Sequence, residues 1–344
     1  MPLSSIHTLP LEKLRSSLSS EGYKSFHASQ IFNWIYKLRK SDWDQMTNLS
    51  LDLRSYLKKE LLITQLVKRR EVISEDRETV KFLWQLSDNM LVEAVLICSE
   101  GRRTVCVSSQ VGCPARCAFC ASGKEGLKRN LTASEIFEQV YQIDLWLSER
   151  QEKVSHVVFM GMGEPFENYE EVVETIRLLI DPSRLALSQR RITVSTVGVV
   201  EGIYRFSNEG LKTNLVLSLH APNQHIRKKI IPYARKYPLE DILAAIGNFS
   251  RITKRDVTYE YTLIRNINDS IEQARELAAL LKGQQCSVNL IPYNPIEKAR
   301  LQRPEKETIE AFREILLLSN IVTTWRYTKG KDIAAACGQL ALQK

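Results

Sequence analysis

The chain predicts an α/β protein: a partial (β/α)6 barrel preceded by a small helical N-terminal domain and a β-hairpin extension. Three observations carry this expectation. From Arg103 onward, short β-branched stretches alternate with amphipathic helical ones, which implies parallel strands joined by right-handed crossovers. Between Thr79 and Ile97, two apolar runs flank an Asp88-Asn89 turn, a hairpin signature. Residues 1 to about 70 lack strand patterning and read as helices. The expected divisions are 1–75 (helical accessory domain), 76–103 (hairpin) and 104–344 (barrel and C-terminal segment).

In the helical region Ile31, Ile35 and Leu38 recur a turn apart, followed by Leu51, Leu53, Tyr56 and Leu57. The hairpin pairs Val80–Trp84 with Met90–Leu96. Glu93 lies in its second strand among apolar neighbours, where simple alternation would turn it to solvent, and the pattern leaves its direction open. The barrel series opens with strand-like Thr104–Ser109. A capping box, Thr132-Ala-Ser-Glu135, then starts a helix with Ile136, Val140, Ile143 and Leu147 on one face. Strands follow at Val154–Met160, Ile192–Thr196, Asn214–His220, Val257–Ile264 and Ser287–Pro292. Helices fall at Tyr169–Ile180, Val200–Ser207, after Pro238, at Ile271–Leu281 and from Pro304. An open doubly wound sheet also fits this alternation; six units favour the partial barrel. The unusual residues cluster just after strands, at the carboxyl edge where barrel sites are built.

With 344 residues, 44% of them hydrophobic and 26% charged, the chain suits one large globular domain or two. No window approaches the roughly 18 apolar residues of a membrane span, and Met1–Ser20 has no signal-peptide pattern, so a cytoplasmic protein without membrane contact is expected. In a reducing cytosol the 7 cysteines suit ligands or catalysts better than disulfide staples. Cys98 and Cys286 fall in no motif and read as small core residues. A net charge of +8 favours a polyanionic partner, nucleic acid first. Short basic clusters occur at 68–70, 102–103, 190–191, 227–229 and 254–255.

The densest signal is Cys113-Pro-Ala-Arg-Cys117-Ala-Phe-Cys120. A structural zinc site wants four ligands, usually as two pairs, whereas this loop supplies three. Three thiolates suit an iron–sulfur cube that keeps one iron open for a ligand. Other chemistry-bearing residues follow successive strands: Gly163 and Glu164 in Gly161–Pro165, then Ser195, then Ser218-Leu219-His220, then Asn294. Each alone reads as a tight turn, a polar strand end or a structural histidine. Together, beside a cysteine loop, they form a pattern. Cys337, in Lys331–Leu340, reads in isolation as a buried cysteine among small residues.

The cysteine spacing, with an aromatic at Phe119, resembles the radical S-adenosylmethionine (SAM) enzymes. Within them the chain is similar to the RlmN family of dual-specificity RNA methyltransferases. The resemblance rests on Val105–Cys113 with Cys106, on Val194–Gly198 and Ser218–Asn223, on Ile31–Tyr36, and on the Cys337 segment, and spans nearly the whole chain. It implies a [4Fe–4S] cluster on Cys113, Cys117 and Cys120, and SAM contacts from Gly163, Glu164, Ser195, Ser218, Leu219, His220 and Asn294. It further implies that Cys337 becomes the methyl-cysteine intermediate, that Cys106 is the resolving thiol and that Glu93 accepts a proton. The implied substrate is carbon 2 of adenine in large-subunit ribosomal RNA, in the peptidyl-transferase region, and in transfer RNA next to the anticodon. A monomer served by an external flavodoxin- or ferredoxin-like electron donor is the corresponding expectation. Two alternatives stay open: Cfr-type methylation of carbon 8, and an RNA-binding protein with structural zinc. Glu201, where many relatives have proline, and the Ile296–Arg300 loop depart from the family pattern.

Overall fold

The N-terminal region is made of short helices whose buried residues recur a turn apart. The computed structural model describes residues 4–297, 299–325 and 329–340; Lys298, inside the loop singled out above, lies outside them. After strand β1 (Ser4–Ser5), α1 (Leu11–Ser20) buries Leu14 and Leu18, and α2 (His27–Phe32) buries Ala28, Ile31 and Phe32. A π turn over Asn33–Lys37 buries Ile35 and Tyr36. The Ser50 side chain accepts a bond from Leu53 N and so caps α3 (Leu51–Glu60), which buries Leu53 and Leu57. Strand β2 (Leu61–Leu62) then pairs in parallel with β1. Leu38 and Leu51 are exposed instead of apolar-face residues, because Leu38 ends its turn and Leu51 begins its helix.

The helical reading of the first 70 residues holds only to Glu60: β3 (Val67–Ile73) is a strand. Its residues are mostly exposed, so it carries no apolar alternation. It is a sheet edge, where Lys68, Arg69 and Arg70 oppose pairing with another chain. Strands β4 (Thr79–Gln85) and β5 (Leu91–Ser99) form the expected hairpin, and β6 (Arg102–Cys106) pairs antiparallel with β5. A small antiparallel pair, β7 (Gln110–Gly112) with β8 (Leu127–Asn130), brackets the cysteine loop. The capping box is realised: Thr132 accepts from Glu135 N and Glu135 from Thr132 N, opening α4 (Ala133–Ser148).

The remaining series is β9 (His156–Phe159), α5 (Tyr169–Ile180), β10 (Ile192–Thr196), α6 (Val200–Ser207), β11 (Asn214–Ser218), α7 (Gln224–Ile230) and α8 (Leu239–Thr253). It ends with β12 (Val257–Leu263), α9 (Ile271–Leu280), β13 (Cys286–Pro292), α10 (Lys306–Leu318) and β14 (Val322–Trp325). Helix α7 and strand β14 were not anticipated; both are short and flanked by charged or exposed positions.

One ten-stranded sheet results, in the order β14-β13-β12-β11-β10-β9-β6-β5-β4-β3. From β6 to β14 all neighbours are parallel, and β3 to β6 are antiparallel. The hairpin is therefore a continuation of the barrel sheet, not a separate appendage. Five parallel strands laid flat span roughly 19 Å. Residues at or just beyond the ends of β9 to β13 nonetheless line one pocket, so the sheet is curved around it.

The N-terminal helices dock on α4. His7 packs its ring on Phe137 and Tyr141 at 5.0 and 4.7 Å and bonds Tyr36 Oη at 3.0 Å. Arg184 donates to the carbonyls of His7 and Leu9, and Arg39 pairs with the buried Asp144 at 2.6 Å. Residues of the helical region and of the barrel share one hydrophobic cluster. Among the described residues no helix is long and apolar enough to cross a membrane.

Candidate active site

The cysteine loop rests on α7. Ala118 N donates to Ile230 O at 2.8 Å, and Cys117, Phe119 and Ala121 pack against Ala221, Ile226, Ile230, Tyr293 and Ile296. Cys113, Cys117 and Cys120 all line the pocket at the carboxyl edge of the sheet. Burial pushes the Cys113 thiol up to about 12 and raises Cys117 and Cys120 as well, so each thiolate needs a cationic partner. One is built in: Arg227, fully buried, opposes that shift at Cys117.

The other side chains come from successive strand ends. After β9 the chain turns through Gly163 at φ +112°, where an added Cβ would meet Ser109 Oγ at 2.7 Å and Gln110 Cβ at 2.8 Å. Glu164 is thereby aimed inward. Its carboxylate accepts from Val197 N at 2.8 Å and Phe166 N at 3.0 Å, yet burial still lifts it to about 7. Ser195 Oγ and Ser218 Oγ, on adjacent strands, are 3.1 Å apart. His220 adopts φ +56°, and its Nδ1 accepts from Thr262 N at 2.9 Å while its ring meets Phe119 edge-on. Burial, helped by Arg227, lowers it to about 3, so this imidazole is neutral.

The C-terminal segment closes the pocket. Asn294 Nδ2 donates to Cys337 O at 3.2 Å, Ala121 N to Gly338 O at 2.7 Å, and Ser122 Oγ to Leu340 O at 2.7 Å. Cys337 is exposed and lines the pocket beside the three loop cysteines. Gly163, Glu164, Ser195, Ser218, His220 and Asn294 line it too; Leu219 does not, being fully buried with its carbonyl accepting from Arg227 Nε.

Cys106 and Glu93 lie one step away, outside the lining residues. Val95 of β5 pairs with Cys106 of β6, and Glu93 is two residues from Val95, so Glu93 and Cys106 are diagonal neighbours on one face. Glu93 is buried, not solvent-facing, and pairs with Lys81 Nζ at 3.2 Å.

Sequence reading missed Glu260, Arg227 and Lys81. Glu260 was legible: Thr258, Glu260 and Thr262 alternate in β12, and Glu260 stands in register between Ser218 and Asn289. The basic clusters give no single face at the pocket. Those at 102–103, 190–191 and 254–255 begin or precede β6, β10 and β12, at the sheet's amino edge.

Three thiols from one loop, all lining the pocket, would suit an iron–sulfur cluster that keeps one iron open. One buried polar atom of the pocket lining, Asn294 Oδ1, has no hydrogen-bond partner among the described residues. With Glu164 it offers two acceptors to a polar ligand carrying an ammonium group.

Comparison with known proteins follows the same lines. Residues 107–278 match the radical SAM superfamily, and residues 5–63 match the ribosomal RNA large subunit methyltransferase N-terminal domain. The chain is 63% identical over 333 residues to a protein of Protochlamydia amoebophila named "Probable dual-specificity RNA methyltransferase RlmN 2", covering 97% of this chain and 93% of that one. It is 44% identical over 336 residues to the RlmN-named protein of Bacillus licheniformis, covering 98% and 93%. A crystal structure of a radical SAM methyltransferase from Sphaerobacter thermophilus superposes with a TM-score of 0.95 at 43% identity, covering 98% of this chain and 99% of that one.

Proposed function

This chain belongs to the RlmN-type radical SAM RNA methyltransferases, whose cofactors are a [4Fe–4S] cluster and SAM, and from that premise we propose that it methylates carbon 2 of adenine. The targets on this reading are the peptidyl-transferase region of large-subunit ribosomal RNA and the position next to the anticodon in transfer RNA. The observation that carries it is the placement of Cys337 in the same pocket as Cys113, Cys117 and Cys120, its loop held by Asn294 and Ala121.

Carbon 2 of adenine is electron-poor and does not attack an electrophilic methyl group, so the transfer needs a radical route. When bound, the cluster and SAM supply the methyl group and the hydrogen-abstracting radical. Cys113, Cys117 and Cys120 would hold the iron. Glu164 would accept bonds from the ammonium of SAM, and Ser195, Ser218, His220 and Asn294 would shape the pocket around it, with Gly163 turning the backbone and Leu219, whose N–H and carbonyl bond Glu260 O and Arg227 Nε, fixing the end of β11. Cys337 would carry the methyl group and, as a methylene radical, bond to carbon 2; the adduct would return its unpaired electron to the one-electron couple that started the chemistry, and Glu93 would take the proton that carbon 2 gives up. Cys106 would then attack the Cys337 sulfur: the sulfur–sulfur bond forms, the carbon–sulfur bond breaks with its electron pair passing to the methylene carbon, which takes up a proton to become the methyl group, and the disulfide is left for a thiol reductant. On this reading the protein works in the cytoplasm as a monomer, supplied by a flavodoxin- or ferredoxin-like donor.

Anaerobic reconstitution, reduction and incubation with SAM and each RNA, followed by nucleoside mass spectrometry, tests the reading. The expected product is 2-methyladenosine. Appearance of 8-methyladenosine alone would replace the carbon-2 assignment with Cfr-type chemistry, and absence of 5′-deoxyadenosine from a colourless, zinc-loaded protein would overturn the radical route. Cys106→Ala is expected to trap RNA covalently on Cys337; recovery of free RNA only would refute this division of roles.

A further inference from the structure

Among the described residues, Lys81 of the β4–β5 hairpin touches both Glu93 and the C-terminal segment. It stands in register with Val95, which stands in register with Cys106, so Lys81, Val95 and Cys106 form a row across three strands on the face that also carries Glu93. Both Lys81 and Glu93 are buried, and their charged ends are 3.2 Å apart. The same ammonium donates to Ala334 O at 3.3 Å, three residues before Cys337. Ala334 is in the left-handed region at φ +49°, within a turn closed by Ala334 N to Lys331 O and Ala335 N to Gly330 O. Two further bonds reach this segment from the β3–β4 turn: Glu75 N donates to Asp332, and Lys329 pairs with Glu78.

A buried ion pair is poor value as packing, since desolvating both charges offsets most of their attraction and an apolar pair of similar volume is as stable or more so. Its use here is geometric. We infer that Lys81 is a positioning residue: one ammonium fixes the Glu93 carboxylate and the Ala334 carbonyl together, and so registers the proton acceptor against the segment that carries Cys337. This rests on the roles proposed above for Glu93 and Cys337. Register matters because the adenine carbon bonded to Cys337 must present its proton within hydrogen-bond reach of Glu93.

The test is single-turnover transfer to RNA by anaerobically reconstituted protein whose Cys337 methylation has been verified by mass. Lys81→Met is expected to keep the iron–sulfur absorbance, SAM cleavage and the KM for RNA, and to lower the rate of methylated-base formation about 10- to 100-fold. Lys81→Arg, which keeps both the charge and the donor, is expected to recover a large part of that loss, which a general packing defect would not allow. If Lys81→Met does not fold, Lys81→Gln decides: it keeps a donor for Ala334 and drops the charge, and a tenfold slower transfer at unchanged KM supports the role. Wild-type transfer rates in the folded neutral variants, with the methyl group in place, overturn the role of Lys81 alone. Absence of the methyl group from Cys337 in the unaltered protein overturns the reading beneath it as well.

Discussion

Arg227 shows how much of the site is set by single side chains. It is fully buried on α7 and donates to the carbonyls of Val197, Ser218 and Leu219, tying the ends of β10 and β11 to the helix that supports the cysteine loop. Gly338 is a second such point. It lies at φ +81°, and an added Cβ would come within 2.9 Å of Phe119 O. Gly338→Ala therefore combines a left-handed penalty of about 1 kcal/mol with a backbone clash, at the contact that seats Cys337. The variant is expected to keep its iron–sulfur absorbance and to lose at least tenfold in methylated-RNA yield, measured by nucleoside mass spectrometry. Residues of this kind were unevenly legible. The three loop cysteines, Glu164 and Asn294 announce themselves by spacing and by their place after strands. Arg227 reads in the sequence as part of a basic cluster, and only its burial separates it from the exposed Lys228 and Lys229.

Elements with a local signal came out where expected. The Thr132–Glu135 capping box opens α4, and α5, β10 and α6 match their expected bounds. Strands β3 and β14 did not, because both are largely exposed sheet edges whose order comes from pairing with β4 and β13, not from apolar alternation. Helix α4 also ties the linker to the barrel: Glu138 accepts from Gln65 N and Leu66 N at 2.7 and 2.8 Å, and burial lifts its carboxyl to about 7. A carboxyl raised above its unfolded value of about 4.5 contributes stability that is complete below pH 4.5 and lost as pH rises through about 7. Glu138→Gln keeps an acceptor and removes the ionisation. Thermal melts between pH 5 and 8 are expected to fall less steeply for the variant, by on the order of 1–3 kcal/mol at the alkaline end. Parallel pH profiles would exclude Glu138 as the source.

At the scale of the whole molecule, the N-terminal helices and the barrel are joined through a buried histidine. His7 contacts Tyr36 of its own region and Phe137 and Tyr141 of α4, and burial lowers it to about 3. A base depressed below its unfolded value of 6.5 contributes stability that is complete above pH 6.5 and lost as pH falls toward 3. Acidification from pH 7 to 5 is therefore expected to loosen this junction by about 2 kcal/mol, seen as faster proteolysis between residues 61 and 66. His7→Phe, which does not titrate, should make that cleavage rate independent of pH, and an unchanged acid response in the variant would refute the assignment. What the sequence determined by itself was the cysteine loop, the β–α alternation and the clustering of polar residues after strands, because each is a relation among neighbours a few residues apart. The tertiary structure alone decided that Glu93 is buried, that Lys81 faces it, and that a segment some 250 residues later lies against the same lysine. Those contacts follow from strand register and sheet curvature, which are set by pairing between distant segments and leave no periodicity in either one.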